Sequence, residues 1–174
     1  MRQPSSALLQ VAYVVTDIEA AVRTWTQTMG VGPFFIFENF ALIEPKYRGQ
    51  PCPTPNITIA ASHSGGVGIE LICPNDETPS VYREFLDAGR VGVHHIATMP
   101  SDYEAAITDF EARGHAVAFE GGLEVGARVA YMDTVAAIGH FTEFFEDTPG
   151  MRELLALTED AAADWDGADP IRHL

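Results

Sequence analysis

Four polar side chains interrupt short apolar runs of this sequence, and their types could hold a metal ion. Gln10 and His95 begin two of these runs, while Glu70 and Glu143 lie inside two others. Ionised carboxylates are very costly to bury without a partner, so we expect each glutamate to be compensated. If the four converge, one imidazole, one amide oxygen and two carboxylates would form a site for one divalent ion of Zn, Ni, Mn, Fe or Co.

Each side chain taken singly also has an ordinary structural explanation. A strand glutamine usually bonds to backbone, and a histidine on an apolar face is more often part of the core than a ligand. Glu70 and Glu143 could also face water at the edge of a sheet. The choice between these explanations depends on whether the four residues occupy matching positions in the fold.

The chain contains an internal repeat, which indicates that the polar residues of its two halves occupy matching positions. Asp17-Ile18-Glu19-Ala20-Ala21 returns as Asp102-Tyr103-Glu104-Ala105-Ala106, and Gln10 and His95 are separated by the same offset. Apolar residues follow each aspartate in an i, i+3, i+4, i+7 pattern, which predicts an amphipathic helix. Each helix has its Asp as a cap and a glycine, Gly30 or Gly114, near its end.

Each half of the chain predicts a strand, a helix and three further strands. The predicted strands span 10–15, 34–42, 56–62 and 67–72 in the first half, and 95–99, 115–119, 128–133 and 139–145 in the second. Regular alternation turns His94 away from His95, which assigns His94 to packing or solvent. We divide the chain into a first module at 7–75 with a loop insertion at 44–55, a linker at 76–92, a second module at 93–147, and a C-terminal helix and acidic tail at 148–174.

The composition excludes several classes of protein. Ten Lys and Arg against 25 Asp and Glu give a formal net charge of −15, which disfavours nucleic acids and anionic membranes as partners. No apolar run approaches the ~20 residues of a membrane span, and no secretory signal is evident. Two cysteines, Cys52 and Cys73, are too few for a disulfide framework. We therefore expect a cytoplasmic protein that binds a small molecule.

With this duplicated organisation, the sequence resembles the vicinal oxygen chelate superfamily, the glyoxalase-like proteins. The resemblance rests on the duplicated module, the His94-His95-Ile96-Ala97 start of the second half and a glutamate in the last strand of each module, and it covers about residues 8–147. It implies an α+β fold in which two paired βαβββ modules form an open curved sheet around a central metal-binding cavity. It also implies that the metal ligands are Gln10, Glu70, His95 and Glu143.

The resemblance further implies a metal-dependent lyase or isomerase that removes a proton next to a carbonyl. The catalytic base would be a ligand glutamate, Glu143 first and Glu70 second. Zinc-type glyoxalase I has an arginine four residues after its first ligand, where this chain has Val14, and this departure argues against recognition of glutathione. We expect a small, fairly apolar substrate in a pocket lined by Phe34, Phe35, Phe37, Phe40, Met99, Tyr131 and Phe145.

Two other functions stay open at this stage. An acyl-CoA epimerase of the methylmalonyl-CoA type would need basic groups near the cofactor phosphates, and the basic residues available are scattered along the chain: Arg23, Lys46, Arg48 and Arg128. A non-catalytic protein that binds or sequesters a small molecule would not need the ligand set. Members of the superfamily often dimerise, so a homodimer is also expected.

Overall fold

The computed structural model describes residues 7–174, which form an α+β fold around one curved sheet. The first half of the chain supplies one helix and six strands. In chain order these are β1 (Leu8–Val14), α1 (Ile18–Met29), β2 (Phe34–Phe40), β3 (Ile43–Tyr47), β4 (Gln50–Pro51), β5 (Ile57–Ser64) and β6 (Val67–Pro74).

The second half repeats the arrangement and adds a C-terminal extension. A short helix, α2 (Val81–Asp87), precedes it. The remaining elements are β7 (Val93–Thr98), α3 (Tyr103–Ala112), β8 (Val117–Gly122), β9 (Arg128–Met132), α4 (Val135–Ile138), β10 (Phe141–Phe145), α5 (Pro149–Ala163) and β11 (Ile171–His173).

The two repeated helices begin and end as the sequence predicts. The Asp17 side chain accepts a hydrogen bond from the backbone N–H of Ala20 at 2.9 Å, and Asp102 does the same for Ala105 at 3.0 Å. These bonds satisfy backbone donors that the first turn of a helix leaves without a partner. Helix α1 ends at Gly30, whose φ of 65° is readily adopted only by glycine.

The sheet confirms the predicted fold of paired modules. Its strand order is β11-β2-β5-β6-β1-β7-β10-β9-β8-β3-β4 across the described residues, so β2-β5-β6-β1 and β8-β9-β10-β7 are equivalent halves. In each half the first strand pairs in parallel with the last, and the antiparallel pair of β1 with β7 joins the halves. The first and last strands of both modules therefore lie side by side at the centre of the sheet.

The segment 44–55 is more ordered than the loop that its four prolines predict. Strand β3 and strand β4 form a hairpin, and β3 pairs with β8 of the second module. Pro51 fits this arrangement because it belongs to the edge strand β4, where a missing N–H breaks no central ladder. Arg48, between the two strands of the hairpin, forms ion pairs with Glu84 and Asp133, both at 2.9 Å.

Two further elements lie where the sequence predicts a linker and a tail. Helix α2 lies within 76–92 and buries Val81, Tyr82 and Phe85 in the core. At the other end of the chain, β11 pairs in parallel with β2. None of the helices within residues 7–174 combines the length and apolar composition needed to cross a membrane.

The core is divided by the sheet. The largest apolar cluster fills the concave face, where Ala12 and Val14 of β1 meet Ala97 of β7 and Phe141 of β10. On the opposite face, α1 packs Val22 against Phe34 and Leu71, and α3 covers Ala130 and Phe144. The concave face is the one that can hold a ligand, because helices α1 and α3 occupy the other.

Candidate active site

The structure brings the four predicted ligand residues to one region of the concave face. Gln10 pairs with Gly68 across β1 and β6, and Glu70 lies two residues further along β6. His95 pairs with Phe141 across β7 and β10, and Glu143 lies two residues further along β10. The two modules thus present a polar side chain and a glutamate in the same register.

His95 lies between the two glutamates. Its Nε2 atom is 3.0 Å from Oε2 of Glu143 and 3.4 Å from Oε2 of Glu70. His95 is completely buried, Glu143 is 3% exposed and Gln10 is 7% exposed. The side-chain atoms His95 Nε2, Glu143 Oε2 and Gln10 Nε2 are buried without a hydrogen-bond partner. Buried polar atoms left in this state are uncommon and call for a functional explanation.

The glutamates change the charge state of the histidine. Burial by itself favours the neutral imidazole, but the negative charges of Glu143 and Glu70 close to Nε2 outweigh it and raise the pKa of His95 to about 9. Burial also raises the pKa of Glu70, while its contact with His95 opposes that change. Without a cation between them, the three groups therefore compensate one another through an imidazolium ion.

The space for Gln10 depends on the residue opposite. A Cβ atom at Gly68 would lie 3.4 Å from Cγ of Gln10 and 3.3 Å from the Leu9 carbonyl oxygen, closer than most such contacts. The missing side chain at Gly68 leaves the Gln10 amide free to lie along the cavity wall. This glycine is therefore part of how the first module presents its polar residue.

The prediction that His94 turns away from His95 is wrong, because β7 is not a regular strand. Ala12 pairs with His95 but Tyr13 pairs with Val93, so His94 is an extra residue in a β-bulge. Its Nδ1 atom lies 2.9 Å from Nδ1 of His95, and its ring is completely buried. A bulge of this kind cannot be recognised from alternation, since it breaks the period on which alternation depends.

The four side chains are of types that bind a divalent cation, and for three of them the distances between donor atoms are compatible with one. Ligand atoms about 2.1 Å from one ion are about 3.0 Å apart at a right angle and about 3.4 Å apart at a tetrahedral angle. The two measured distances from His95 Nε2, 3.0 and 3.4 Å, have these values. Within residues 7–174 no group of three or more His, Cys, Asp and Glu side chains is arranged to hold an ion. The case for a cation therefore depends on the unpartnered atoms of His95 and Glu143, with the amide oxygen of Gln10 as the proposed fourth ligand.

A cavity of about 730 Å³, including its opening to solvent, adjoins these groups. Gln10, Glu70 and Glu143 line it, and so do four of the seven predicted pocket residues: Phe37, Phe40, Tyr131 and Phe145. The other three lie elsewhere. Phe34 packs with α1 on the opposite face because alternation separates it from Phe37, whereas Phe35 and Met99 do not reach the cavity wall.

Phe40 reaches the cavity through an irregularity in β2. Phe37 pairs with Ile59 but Phe40 pairs with Ile57, so the strand changes phase between them. The intervening Asn39 has a φ of 52°, in the left-handed region. Regular alternation would turn Phe40 to the side of Phe34, and the phase change instead puts it beside Phe37, with their ring centroids 6.3 Å apart.

Helix α5 covers the cavity, which makes the C-terminal helix part of the site. Met151, Leu154, Leu155 and Thr158 line the cavity from this helix. Their i, i+3, i+4, i+7 spacing is the signal that could have identified this face from the sequence. The helix begins at Thr148, whose side chain accepts a hydrogen bond from the backbone N–H of Met151 at 3.2 Å.

Two tyrosine hydroxyls complete the polar groups of the cavity. Tyr82 from α2 and Tyr131 from β9 both line it, and their oxygen atoms are 2.9 Å apart. Burial and the charge of Glu143 raise the pKa of both phenols well above their ordinary value, so both remain protonated. Their mutual hydrogen bond uses one proton, which leaves the other available to a ligand. Tyr82 was not predicted, because it lies in the supposed linker.

The cavity contains donors and acceptors but no lysine or arginine among the described residues that line it. The side chain of Ser62 is a further polar group on its wall, and its Oγ atom is buried without a partner. Most of the remaining lining is aliphatic or aromatic. The site is therefore suited to an uncharged, largely apolar molecule that carries oxygen atoms at one end.

Comparison with known proteins identifies the fold family. A family model described as the Glyoxalase/Bleomycin resistance protein/Dioxygenase superfamily matches residues 9–131. No curated protein matches the sequence. The family match agrees with the resemblance found in the sequence and with the arrangement of the two modules.

Solved structures with the same fold share little sequence with this chain. A hypothetical protein from Bacillus halodurans C-125 has a TM-score of 0.60 and 23% identity, over 83% of this chain and 96% of that chain. The methylmalonyl-CoA epimerase from Mycobacterium tuberculosis has a TM-score of 0.56 and 20% identity, over 84% and 91%. A variant of the Streptomyces coelicolor methylmalonyl-CoA epimerase in complex with 2-nitronate-propionyl-CoA has a TM-score of 0.53 and 20% identity, over 83% and 96%. These identities establish a common fold alone.

Proposed function

Because this chain belongs to the Glyoxalase/Bleomycin resistance protein/Dioxygenase superfamily, we propose that it is a metal-dependent lyase or isomerase. The reaction is the removal of a proton next to a carbonyl group of a small, fairly apolar substrate. One observation carries this proposal: Glu70, His95 and Glu143 form a buried cluster, with unpartnered atoms, at the wall of an apolar cavity.

The residues that would hold the metal are Gln10, Glu70, His95 and Glu143. A bound divalent ion would polarise the substrate carbonyl as a Lewis acid and stabilise the enolate that forms when the proton leaves. All four residues come from one chain, so the proposed site is complete without a second subunit. Dimerisation stays a prediction, and it is independent of this site.

Glu143 is the proposed base. Its carboxylate lines the cavity, and it would leave the ligand set when substrate arrives and accept a proton from a substrate carbon there. Tyr131 is its direct neighbour across β10 and β9, and the Tyr82–Tyr131 pair has one uncommitted O–H group. That O–H group is placed to donate to the substrate oxygen on which negative charge develops.

The charge of the cavity argues against an acyl-CoA substrate. CoA carries several phosphate charges, and the basic residues that the sequence offers for them are engaged elsewhere. Salt bridges join Arg23 to Glu19, Lys46 to Glu120, Arg48 to Glu84 and Asp133, and Arg128 to Glu104 and Glu146. We therefore favour an uncharged substrate with two neighbouring oxygen atoms over the acyl-CoA alternative.

A purely binding role is the weaker alternative. Burying two carboxylates and a histidine lowers stability unless something compensates them, and a protein that only sequesters an apolar molecule gains nothing from the cost. The matching register of Gln10 with Glu70 and of His95 with Glu143 also favours a shared chemical task.

Metal analysis and hydrogen exchange test the proposal together. Protein purified without chelator, and then offered Zn²⁺, Ni²⁺, Mn²⁺, Fe²⁺ or Co²⁺, is expected to retain one ion per chain. The loaded protein is then incubated in deuterium oxide with uncharged hydroxyketones, hemithioacetals and acyl-CoA thioesters. We expect deuterium next to the carbonyl only in the uncharged compounds, and only when metal is present. Failure to bind any of the five ions overturns the metal-dependent function, and exchange of acyl-CoA alone overturns the substrate class.

A further inference from the structure

His94 is a completely buried polar residue to which the proposed reaction gives no task. The bulge in β7 places its ring next to that of His95, with Nδ1 of the one 2.9 Å from Nδ1 of the other. Its second ring nitrogen, Nε2, lies 3.1 Å from the carbonyl oxygen of Val81 at the start of α2. Both nitrogens of His94 therefore have a partner, unlike Nε2 of His95.

The partners determine where the protons lie. A carbonyl oxygen can only accept, so the contact with Val81 requires a proton on Nε2 of His94. His94 is completely buried among aromatic rings, where a neutral imidazole is favoured over a charged one, so its single proton lies on Nε2 and Nδ1 has none. Nδ1 of His94 must then accept, and Nδ1 of His95 must donate the proton between them.

The chain of bonds determines which nitrogen of His95 faces the glutamates. With one proton fixed on Nδ1, the neutral His95 ring has its lone pair on Nε2, the atom 3.0 Å from Glu143 and 3.4 Å from Glu70. A histidine that binds a metal through Nε2 usually donates its other N–H in this way, which fixes both tautomer and ring orientation. Here the acceptor would be a second histidine rather than a carboxylate.

Packing holds His94 in position to act as this acceptor. The His94 ring lies 5.3 Å from Tyr82, 5.2 Å from Phe85 and 5.2 Å from Phe141, measured between ring centroids. Rings on several sides leave little room for the imidazole to rotate. Helix α2, predicted as linker, thereby supports the site through the Val81 carbonyl and two aromatic rings.

We infer that His94 is a positioning residue that keeps a proton on Nδ1 of His95 and thereby reserves Nε2 of His95 for a metal ion. The part of this inference that concerns the metal rests on the proposed function. The part that concerns the protons does not, because the bonds among Val81, His94 and His95 exist without a metal.

Two substitutions separate the hydrogen bond from packing. His94→Gln keeps both roles, since an amide oxygen can accept from His95 while the amide nitrogen donates to Val81. His94→Phe keeps an aromatic ring of similar size and loses both bonds. Phe85→Leu serves as the matched control, because it removes a ring packed against His94 but no hydrogen bond.

The first measurement uses metal-free protein with isotope-labelled histidine at neutral pH. Two-bond proton–nitrogen correlation spectra are expected to show His94 protonated on Nε2 only, and His95 protonated on Nδ1 and, in the absence of a metal, on Nε2 as well. A proton on Nδ1 of His94 overturns the inference. This result is obtained whether or not the protein binds metal.

The second measurement is zinc affinity, determined by competition with a chromophoric chelator. His94→Phe is expected to bind zinc about 10- to 100-fold more weakly than wild type, and His94→Gln and Phe85→Leu much closer to wild type. Equal zinc affinity in wild type and His94→Phe overturns the positioning role. If wild type itself binds no metal, the proposed function fails, and the spectra alone decide the proton arrangement.

Discussion

The two modules share one register but surround their polar residues differently. Glu143 of the second module has Tyr131 as its cross-strand neighbour on β9, whereas Glu70 of the first has Ala61 on β5. His95 is supported by a buried histidine, and Gln10 lies across from a glycine with its amide nitrogen unpartnered. The second module thus supplies rigid groups that can move protons, and the first supplies small residues that leave room for a ligand.

The difference shows how the two halves of a duplicated fold can take different roles at one site. The backbone pairing is the same in both halves, so the positions of the four polar side chains follow from the repeat. The residues next to those positions are not constrained by the pairing, and they have diverged. Three sets of substitutions test this division, beginning with the largest expected effect.

Replacing the two glutamates in turn is expected to affect catalysis unequally. Glu143→Gln removes the proposed base while preserving the shape of the side chain. At saturating metal, its rate of deuterium exchange into substrate is expected to fall about 10²- to 10⁴-fold. Glu70→Gln is expected to weaken metal binding and to lower the exchange rate less. Equal losses in the two variants would contradict the assignment of the base to the second module.

The tyrosine pair is expected to behave as a unit. In Tyr82→Phe or Tyr131→Phe the remaining hydroxyl still has a proton to donate, so each single variant should lose only a little activity. The double variant has no donor, and its exchange rate is expected to fall about 10²- to 10³-fold, as when one donor to a developing oxyanion is lost. Metal content, measured in parallel, should not change. If the single losses multiply to give the double loss, the two hydroxyls act independently and the shared-donor description is wrong.

The smallest expected effect on the protein concerns the part of the cavity that the first module lines with small residues. Ala61 lines the cavity, so the larger side chain of Ala61→Leu would fill part of it. We expect this variant to lose binding of an apolar fluorescent ligand, while its free energy of unfolding changes by less than about 1 kcal/mol. Ala60→Leu is the matched control, since Ala60 is fully buried on the opposite face near Val22 and Phe34. It is expected to cost about 1–3 kcal/mol of stability by overpacking and to spare ligand binding. Ligand titration and urea denaturation measure both quantities, and tight ligand binding by Ala61→Leu would show that the ligand lies elsewhere.

The repeat explains why much of this molecule could be predicted from its sequence. The caps at Asp17 and Asp102 and the apolar periodicity after them fix the two helices, and their common offset from Gln10 and His95 fixes the order of elements. The site residues follow, because parallel pairing of the first and last strands brings each glutamate beside its polar partner. Local patterns suffice where the same pattern occurs twice.

The unpredicted features are those that occur once. His94 lies against His95 only because β7 contains an extra residue, and that bulge depends on the strands beside it. Tyr82 lies on a helix of seven residues, too short for periodicity to distinguish from a loop. The hairpin of β3 and β4 gains its order from β8, which is far away in sequence. In each case a tertiary partner outweighs the local signal.

The pairing of β11 with β2 has a consequence for how the protein is made. β2 leaves the ribosome early, but the segment that covers its outer edge, Ile171–His173, is synthesised long afterwards. An uncovered strand edge can pair with other chains, and slow nonlocal pairing prolongs that exposure. The edge at Phe34–Ile36 is therefore open to pairing with other chains until β11 has left the ribosome and paired with β2, and removing β11 would leave that edge uncovered in the folded protein.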